Sequence, residues 1–112
     1  MYTYKAKVLD WIDGDTLWVE IDLGFYVQTR QKIRLARIDA PEMRTDVAYR
    51  ERQAKHARAV ARKFCPEDAQ VLITTKKQNR DQYARYIAEV TYNDTNMSDY
   101  LIEKGVAKIW GE

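Results

Sequence analysis

Apolar and polar residues alternate along several short stretches of the chain, and this period of two predicts half-buried β-strands. In residues 16–22 the apolar Leu17, Val19 and Ile21 are separated by polar or amphipathic residues. A later stretch places Ile33 and Leu35 on one face and Lys32 and Arg34 on the other. The pattern predicts strands at residues 5–12, 16–22, 31–38, 71–75 and 86–92.

The period changes over residues 46–64, which predicts an amphipathic helix. The residues that recur at steps of three and four are Ala54, Ala57, Ala61 and Phe64. Thr45 or Asp46 is predicted to cap the start of the helix, and Pro66 prevents its continuation. A basic run on the other face, from Arg50 onward, is either a solvated surface or an electrostatic aid to nucleic-acid binding.

Turn residues punctuate the remaining chain. The step at Gly14, between two aspartates, predicts a sharp bend between the first two strands, and Asn93–Asp94 predicts a turn after the last strand. A short helix is predicted at residues 99–104, with Ser98 as its cap and Gly105 in the left-handed conformation that ends it.

The predicted order is three strands, a helix, two strands and a short helix. We therefore expect a mainly β protein with helices (α+β): a five-stranded barrel of the oligonucleotide-binding type, with the amphipathic helix between strands 3 and 4. The chain has no internal repeat and no Pro- or Ser-rich linker, so residues 1–112 are expected to form a single domain.

Composition excludes several classes of protein. Of the 112 residues, 46% are hydrophobic and 32% are charged, which excludes a disordered or collagen-like chain. No apolar run approaches the roughly 20 residues that a bilayer requires, so no membrane partner is expected. Cys65 is the single cysteine, which excludes an intramolecular disulfide and predicts packing at the helix end. The N-terminus carries no apolar signal core, and localisation stays open.

Four acidic residues fall in the turns that follow predicted strands, and they are candidates for a metal site. They are Asp13, Asp15, Asp39 and Glu42. Carboxylates gathered at one end of a barrel would repel one another unless a cation lay among them, and oxygen ligands favour calcium first and magnesium second. Read separately, each pair is also explained as ordinary turn formers exposed to water.

Two arginines are interleaved with these acids along the chain. Arg34 lies on the third strand and Arg85 precedes the fifth. The planar guanidinium group suits phosphate, because it donates two parallel hydrogen bonds and stays charged. Taken singly, either arginine is better explained by a surface ion pair. The net charge is only +2 and does not by itself indicate a polyanion-binding protein.

Read together, these segments resemble the staphylococcal nuclease (thermonuclease) family in order and spacing. The segments that carry the resemblance are residues 13–16 (DGDT), 34–42 (RLARIDAPE), 81–85 (DQYAR) and 101–108. The resemblance implies an oligonucleotide-binding barrel and a calcium-dependent phosphodiesterase that acts on DNA and RNA. We expect the partner to be single-stranded nucleic acid and the protein to be a monomer.

By position in these motifs, the resemblance also implies a role for individual residues. Asp15 and Asp39 would bind calcium through their carboxylates and Ala40 through its backbone carbonyl, with Asp13 as an outer neighbour. Glu42 would act as general base or orient the attacking water. The phosphate-binding residues would be Arg34 and Arg85, and Tyr83 would contact the nucleotide.

Departures from the family pattern leave a second hypothesis open. The family usually has Thr at the Ala40 position, and it often has Lys at Gln82 and Gly at Ala84 and Tyr86. Its type member begins a Tyr-bearing segment at the position of Gly111. A non-catalytic module that binds nucleic acid or protein is therefore the alternative to a nuclease. The three tryptophans, Trp11, Trp18 and Trp110, are either stacking surfaces or packing residues, and packing is expected for at least two.

Overall fold

The computed structural model describes residues 2–75 and 85–110, which form a closed barrel with two helices. Within these residues the strands are β1 (Tyr2–Asp13), β2 (Thr16–Asp22), β3 (Gln28–Leu35), β4 (Ile38–Asp39), β5 (Gln70–Thr75), β6 (Tyr86–Tyr92), β7 (Thr95–Asn96) and β8 (Lys108–Ile109). The helices are α1 (Ala48–Phe64) and α2 (Met97–Glu103).

Five long strands make the barrel wall. The hydrogen-bonded order is β3-β2-β1-β5-β6-β7, and a parallel pairing of β3 with β6 closes the sheet on itself. The neighbouring strands in that order are antiparallel. A separate short pair joins β4 to β8, with Asp39 opposite Lys108. This mixed, closed barrel with a helix between β4 and β5 confirms the α+β, oligonucleotide-binding-type fold expected from the sequence.

The alternation of apolar and polar residues matches the inner and outer faces of the barrel wall. Leu17, Val19 and Ile21 are buried, whereas Trp18 between them is exposed. Helix α1 covers one end of the barrel through the predicted small residues, since Ala54, Ala57 and Ala61 are all buried. Small side chains allow the helix backbone to approach the strands closely.

The buried Trp11 and Cys65 join the barrel to the end of α1. The indole nitrogen of Trp11 donates a hydrogen bond to the Cys65 carbonyl oxygen at 2.8 Å. Cys65 is fully buried and is the C-cap residue of α1. The prediction that Cys65 packs at the helix end is confirmed.

The third predicted strand is divided in two. A single strand at residues 31–38 was expected, but β3 ends at Leu35 and β4 begins at Ile38. Arg37 lies between them in the left-handed region with φ of 72°. That conformation interrupts the extended backbone. The alternation of apolar residues gives no indication of such a break, because it reports side-chain burial and not the sign of φ.

Both predicted N-caps are wrong. Helix α1 begins after Val47, which makes no side-chain cap, and the Thr45 hydroxyl instead accepts a hydrogen bond from the Val47 amide at 3.3 Å. The cap of α2 is Asn96, whose side chain accepts from the Asp99 amide, and the Ser98 hydroxyl donates to the Ala36 carbonyl at 2.8 Å. Ser98 is buried and serves tertiary packing, which leaves the capping role to Asn96.

The predicted end of α2 and the last predicted turn are confirmed. Gly105 has φ of +74°, the left-handed geometry that ends a helix. Asn93 and Asp94 have φ of 49° and 63° and connect β6 to β7. None of the helices in residues 2–75 and 85–110 has the length and apolar character needed to span a bilayer.

Candidate active site

The turn between β1 and β2 is the foundation of the site. Gly14 is buried there, and a Cβ at this position would lie 2.9 Å from the Ala57 Cβ and 3.2 Å from the Ala40 Cβ. Only hydrogen in place of a side chain allows the turn, helix α1 and the segment after β4 to meet. The three small residues therefore set the position of Asp15, the next residue in the chain.

Asp15 is buried and strongly hydrogen-bonded. Its Oδ1 accepts from the Thr16 hydroxyl at 3.0 Å, and its Oδ2 accepts from the Ala40 amide at 3.0 Å. Burial raises the pKa of Asp15 above its ordinary value, while the Ala40 amide, the Arg34 charge and the Thr16 hydroxyl oppose that shift. The carboxylate thus ties the β1–β2 turn to the segment that follows β4.

Arg34, at the end of β3, is buried between two carboxylates. Its Nη2 atom lies 3.7 Å from Asp15 Oδ2 and 3.6 Å from Asp39 Oδ1. The same nitrogen donates to the Ile38 carbonyl at 3.0 Å. Since the backbone carbonyl anchors the guanidinium, both carboxylates are held within 3.7 Å of the same guanidinium nitrogen.

Arg85 reaches the same cluster from the start of β6. Its Nη1 donates to the Thr16 hydroxyl oxygen at 3.4 Å, and that hydroxyl donates in turn to Asp15. The parallel pairing of β3 with β6 explains the convergence, because it places the ends of these strands side by side. Both arginines therefore connect to Asp15, one directly and one through Thr16.

Glu42 lies on the loop after β4, and its position depends on Asp13. The Asp13 Oδ1 atom accepts from the Met43 amide at 2.8 Å and so fixes the loop immediately after Glu42. Glu42 itself is exposed to solvent. Its side chain is therefore accessible to water.

A groove of about 670 Å³ opens between the loop after β4, the start of α1 and β8. Asp39, Ala40 and Glu42 line it, so it is continuous with the cluster around Arg34. Its cationic lining residues are Arg44, Arg50 and Lys108. A groove of this size that combines carboxylates with cations suits a polar, anionic ligand.

An ion-pair cluster outside the groove fixes the turn between β3 and β4. The Arg37 guanidinium is paired with Glu89 and lies 3.0 Å from Asp99 Oδ1, with a further hydrogen bond to Asn96 at 3.2 Å. The hydrogen bond to Glu89 raises the pKa of Arg37 above its ordinary value. This cluster therefore holds the β3–β4 turn, which connects Arg34 to Asp39 along the chain, against β6 and α2.

The structure brings most of the predicted site residues together. Direct contacts join Asp15, Arg34, Asp39 and Ala40, while Arg85 joins through Thr16 and Glu42 lines the adjoining groove. Asp13, at the end of β1, accepts a hydrogen bond from the backbone amide of Met43, the residue that follows Glu42. Tyr83 lies outside the described residues. No cluster of three or more acidic, histidine or cysteine side chains is arranged for a metal ion in the described part of the chain.

Sequence reasoning gave no role in the site to Thr16 or Arg37, and it left the role of Trp110 open between stacking and packing. Thr16 belongs to the DGDT segment that carries the family resemblance, but no contact of its hydroxyl was predicted. Trp110 lies over the Arg34 guanidinium, with 4.4 Å between the Arg34 Cζ and the ring centroid. The position of Thr16 next to Asp15 could have indicated its role from the sequence. Arg37 and Trp110 act through contacts between segments that are distant in the chain, and the sequence gives no sign of those contacts.

Comparison with known proteins agrees with this architecture. The chain is 25% identical to uncharacterized protein MJ1439 of Methanocaldococcus jannaschii, in an alignment that covers 96% of this chain and 59% of the relative. The chain thus spans somewhat more than half the length of the curated relative that it matches. The family described as staphylococcal nuclease homologue matches residues 32–111, which include Arg34, Asp39, Glu42 and Arg85. The chain belongs to the staphylococcal nuclease homologue family.

Proposed function

We propose that this protein is a calcium-dependent nuclease that hydrolyses phosphodiester bonds of DNA, RNA or both, with low sequence specificity. One observation carries the proposal: the buried Arg34 guanidinium lies 3.7 Å from Asp15 and 3.6 Å from Asp39, and Asp39 in turn lines an open, polar groove. The family supports a nuclease-type activity in general terms. The metal, the residue roles and the substrate range are our proposal.

The residues at the cluster fit a calcium ion in their chemistry. Asp15 and Asp39 offer carboxylate oxygens and Ala40 offers a backbone carbonyl, which are the hard oxygen ligands that calcium prefers. Among residues 2–75 and 85–110, Thr16 donates to Asp15 Oδ1 and Ala40 donates to Asp15 Oδ2; a carboxylate oxygen has two lone pairs, so each could also bind the ion. Water would complete the coordination. When bound, calcium supplies positive charge beside a phosphate oxygen.

The arginines would hold the phosphate of the scissile ester. Arg34 and Arg85 each carry a planar guanidinium group whose several N–H donors match the geometry of phosphate oxygens. They would stabilise the negative charge that builds on the phosphate oxygens as the ester breaks. Loss of one such preorganised donor typically lowers the rate about 10²- to 10³-fold.

Glu42 would accept the proton of the attacking water. As the water oxygen bonds to phosphorus, its proton passes to the Glu42 carboxylate and the ester oxygen departs. General base catalysis of this kind contributes roughly 10²- to 10⁴-fold in rate. The exposed position of Glu42 at the groove supports this role.

The lining of the groove supports a single nucleic-acid strand as substrate. Arg44, Arg50 and Lys108 lie along the groove beside Asp39 and Glu42, which gives a path of positive charge next to the proposed reaction centre. Lysine and arginine side chains neutralise backbone phosphates without reading sequence. We propose a monomer that acts on single-stranded DNA or RNA.

Two substitutions test the roles of these residues. Glu42→Gln should lower the cleavage rate well over tenfold because it removes the base, and Arg34→Ala should do so because it removes a phosphate donor. The assay is cleavage of a labelled single-stranded oligonucleotide in calcium. Matched controls are Glu103→Gln, on the exposed surface of α2, and Arg30→Ala, an exposed arginine on β3.

Circular dichroism must show that each variant is folded, since Arg34 is buried and its loss leaves two carboxylates without their partner. Wild-type rates in both folded variants would refute the residue assignment. Tight binding of the oligonucleotide without turnover by the wild-type chain would favour the non-catalytic binding module.

A further inference from the structure

Trp110 is a large apolar side chain that stands largely in solvent at the edge of the proposed site. It is 63% exposed, whereas Trp11 is fully buried. Leaving an indole in water forfeits much of the free energy that its burial would provide. The position is therefore not explained by packing of the barrel core.

One surface of the Trp110 indole is occupied by the proposed phosphate-binding arginine. The Arg34 Cζ lies 4.4 Å from the ring centroid, which is within the range of a cation–π contact. Arg34 is itself only 8% exposed, so the indole forms part of its cover. A ligand phosphate held by Arg34 would thus lie beside the indole.

The backbone around Trp110 is fixed in place. The Trp110 amide donates to the Arg37 carbonyl at 2.8 Å, and the two residues before it form β8, which pairs with β4. Lys108, two residues earlier, lies opposite Asp39 and lines the groove. The indole is accordingly presented at a set position between Arg34 and the basic groove.

We propose that Trp110 is a stacking surface for a base of single-stranded nucleic acid, next to the phosphate that Arg34 holds. An exposed aromatic ring beside cationic groups is the arrangement that binds single strands, because every base has a face available for stacking. Bases in a duplex are already stacked on their neighbours, which explains a preference for single strands. This inference rests on the proposed function, since it assigns the base contact of the same site.

The stacking contribution can be isolated with an oligonucleotide that lacks bases. Binding is measured by fluorescence anisotropy in calcium, with a labelled oligothymidylate and an abasic strand of equal length and equal phosphate number. The full chain carries Glu42→Gln so that the strands are not consumed. We expect oligothymidylate to bind about 5- to 150-fold more tightly than the abasic strand, the range that one stacked base provides.

Substitutions at Trp110 should remove that preference. Trp110→Leu should bring the two strands to within about threefold of each other, and Trp110→Phe should keep part of the difference because it keeps an aromatic ring. The matched control is Trp18→Leu. Trp18 is an exposed tryptophan that likewise lies near a cation, with its ring 5.5 Å from the Lys32 ammonium, and it pairs with Lys32 across β2 and β3. This control should retain the full preference.

Several outcomes would overturn the inference. A Trp110→Leu chain that still prefers oligothymidylate places the stacking elsewhere. An unchanged preference with slower cleavage, measured with Glu42 restored, leaves Trp110 as a positioning residue for Arg34. Equal binding of both strands by the parent chain, or no binding of either, also contradicts the stacking surface. Failure of the wild-type chain to cleave would refute the proposed nuclease but leave a Trp110-dependent preference for bases intact.

Discussion

Gly14 is the residue through which the barrel, the helix and the proposed site meet. Its Cα faces the side chains of Ala57 and Ala40, and the space between them does not admit a methyl group. A substitution here acts on packing, since a Cβ would lie closer to its neighbours than folded proteins tolerate. The effect belongs to the site as well, because Asp15 follows directly.

We predict that Gly14→Ala lowers the free energy of unfolding by about 1–3 kcal/mol, the usual cost of overpacking. The measurement is urea denaturation. In a background with Ala57→Gly the same substitution should cost less, since the Ala57 Cβ is the closest neighbour at 2.9 Å. Equal costs in both backgrounds would show that the two positions are not coupled.

A second prediction concerns the buried thiol of Cys65. Burial raises the pKa of Cys65 to about 12, above the 9.0 of an exposed thiol. Because the folded state holds the proton more tightly, the stability from this group is complete below about pH 9 and is lost as the pH rises toward 12. Thiolate is the reactive form, so alkylation by iodoacetamide at pH 9 should be at least about tenfold slower in the folded chain than in urea. Equal rates would contradict the burial of this side chain.

At the scale of elements, the hairpin between β2 and β3 holds two consecutive aromatic residues in the left-handed region. Phe25 and Tyr26 are essentially fully exposed and have φ of 54° and 59°. The Val27 amide donates to the Gly24 carbonyl across them at 2.9 Å, as in a type I′ turn. Asn-Gly is the preferred pair for such a turn, whereas aromatic residues pay a steric penalty there.

We predict that Phe25→Asn combined with Tyr26→Gly raises the free energy of unfolding by about 1–3 kcal/mol, because it removes the steric cost of holding two aromatic residues in the left-handed conformation. Thermal and urea denaturation measure the change. The control is Asp94→Gly, which places the same Asn-Gly pair at residues 93 and 94. It should raise the free energy of unfolding by less, because Asn93 and Asp94 already suit their turn. A loss of stability in the β2–β3 variant would show that the exposed rings make contacts that the turn needs.

The same two turns explain which elements the sequence could predict. Asn93–Asp94 indicates a turn by residue type, and Leu17, Val19 and Ile21 indicate a strand by alternation, because both signals are local. Nothing local distinguishes the Phe25–Tyr26 turn. The interruption of the third strand at Arg37 likewise depends on Glu89 and Asp99, which come from other elements.

At the scale of the whole molecule, closure of the barrel creates the site. The parallel pairing of β3 with β6 brings Arg85 to the end of the barrel where Arg34 and Asp15 lie. Resemblance to a family supplied the identities of these residues, but it gave no contact between them. The role of Trp110 was open in the sequence, because its contact with Arg34 requires β8 to pair with β4.

The central claim is that this cluster of carboxylates and guanidinium groups hydrolyses phosphodiesters with calcium. The most direct test is cleavage of an end-labelled single-stranded oligonucleotide by the purified wild-type chain, in calcium and in excess chelator. The account predicts shortened products in calcium, none in chelator, and recovery when calcium is restored. Equal cleavage under both conditions, or bound but intact oligonucleotide in calcium, would contradict it.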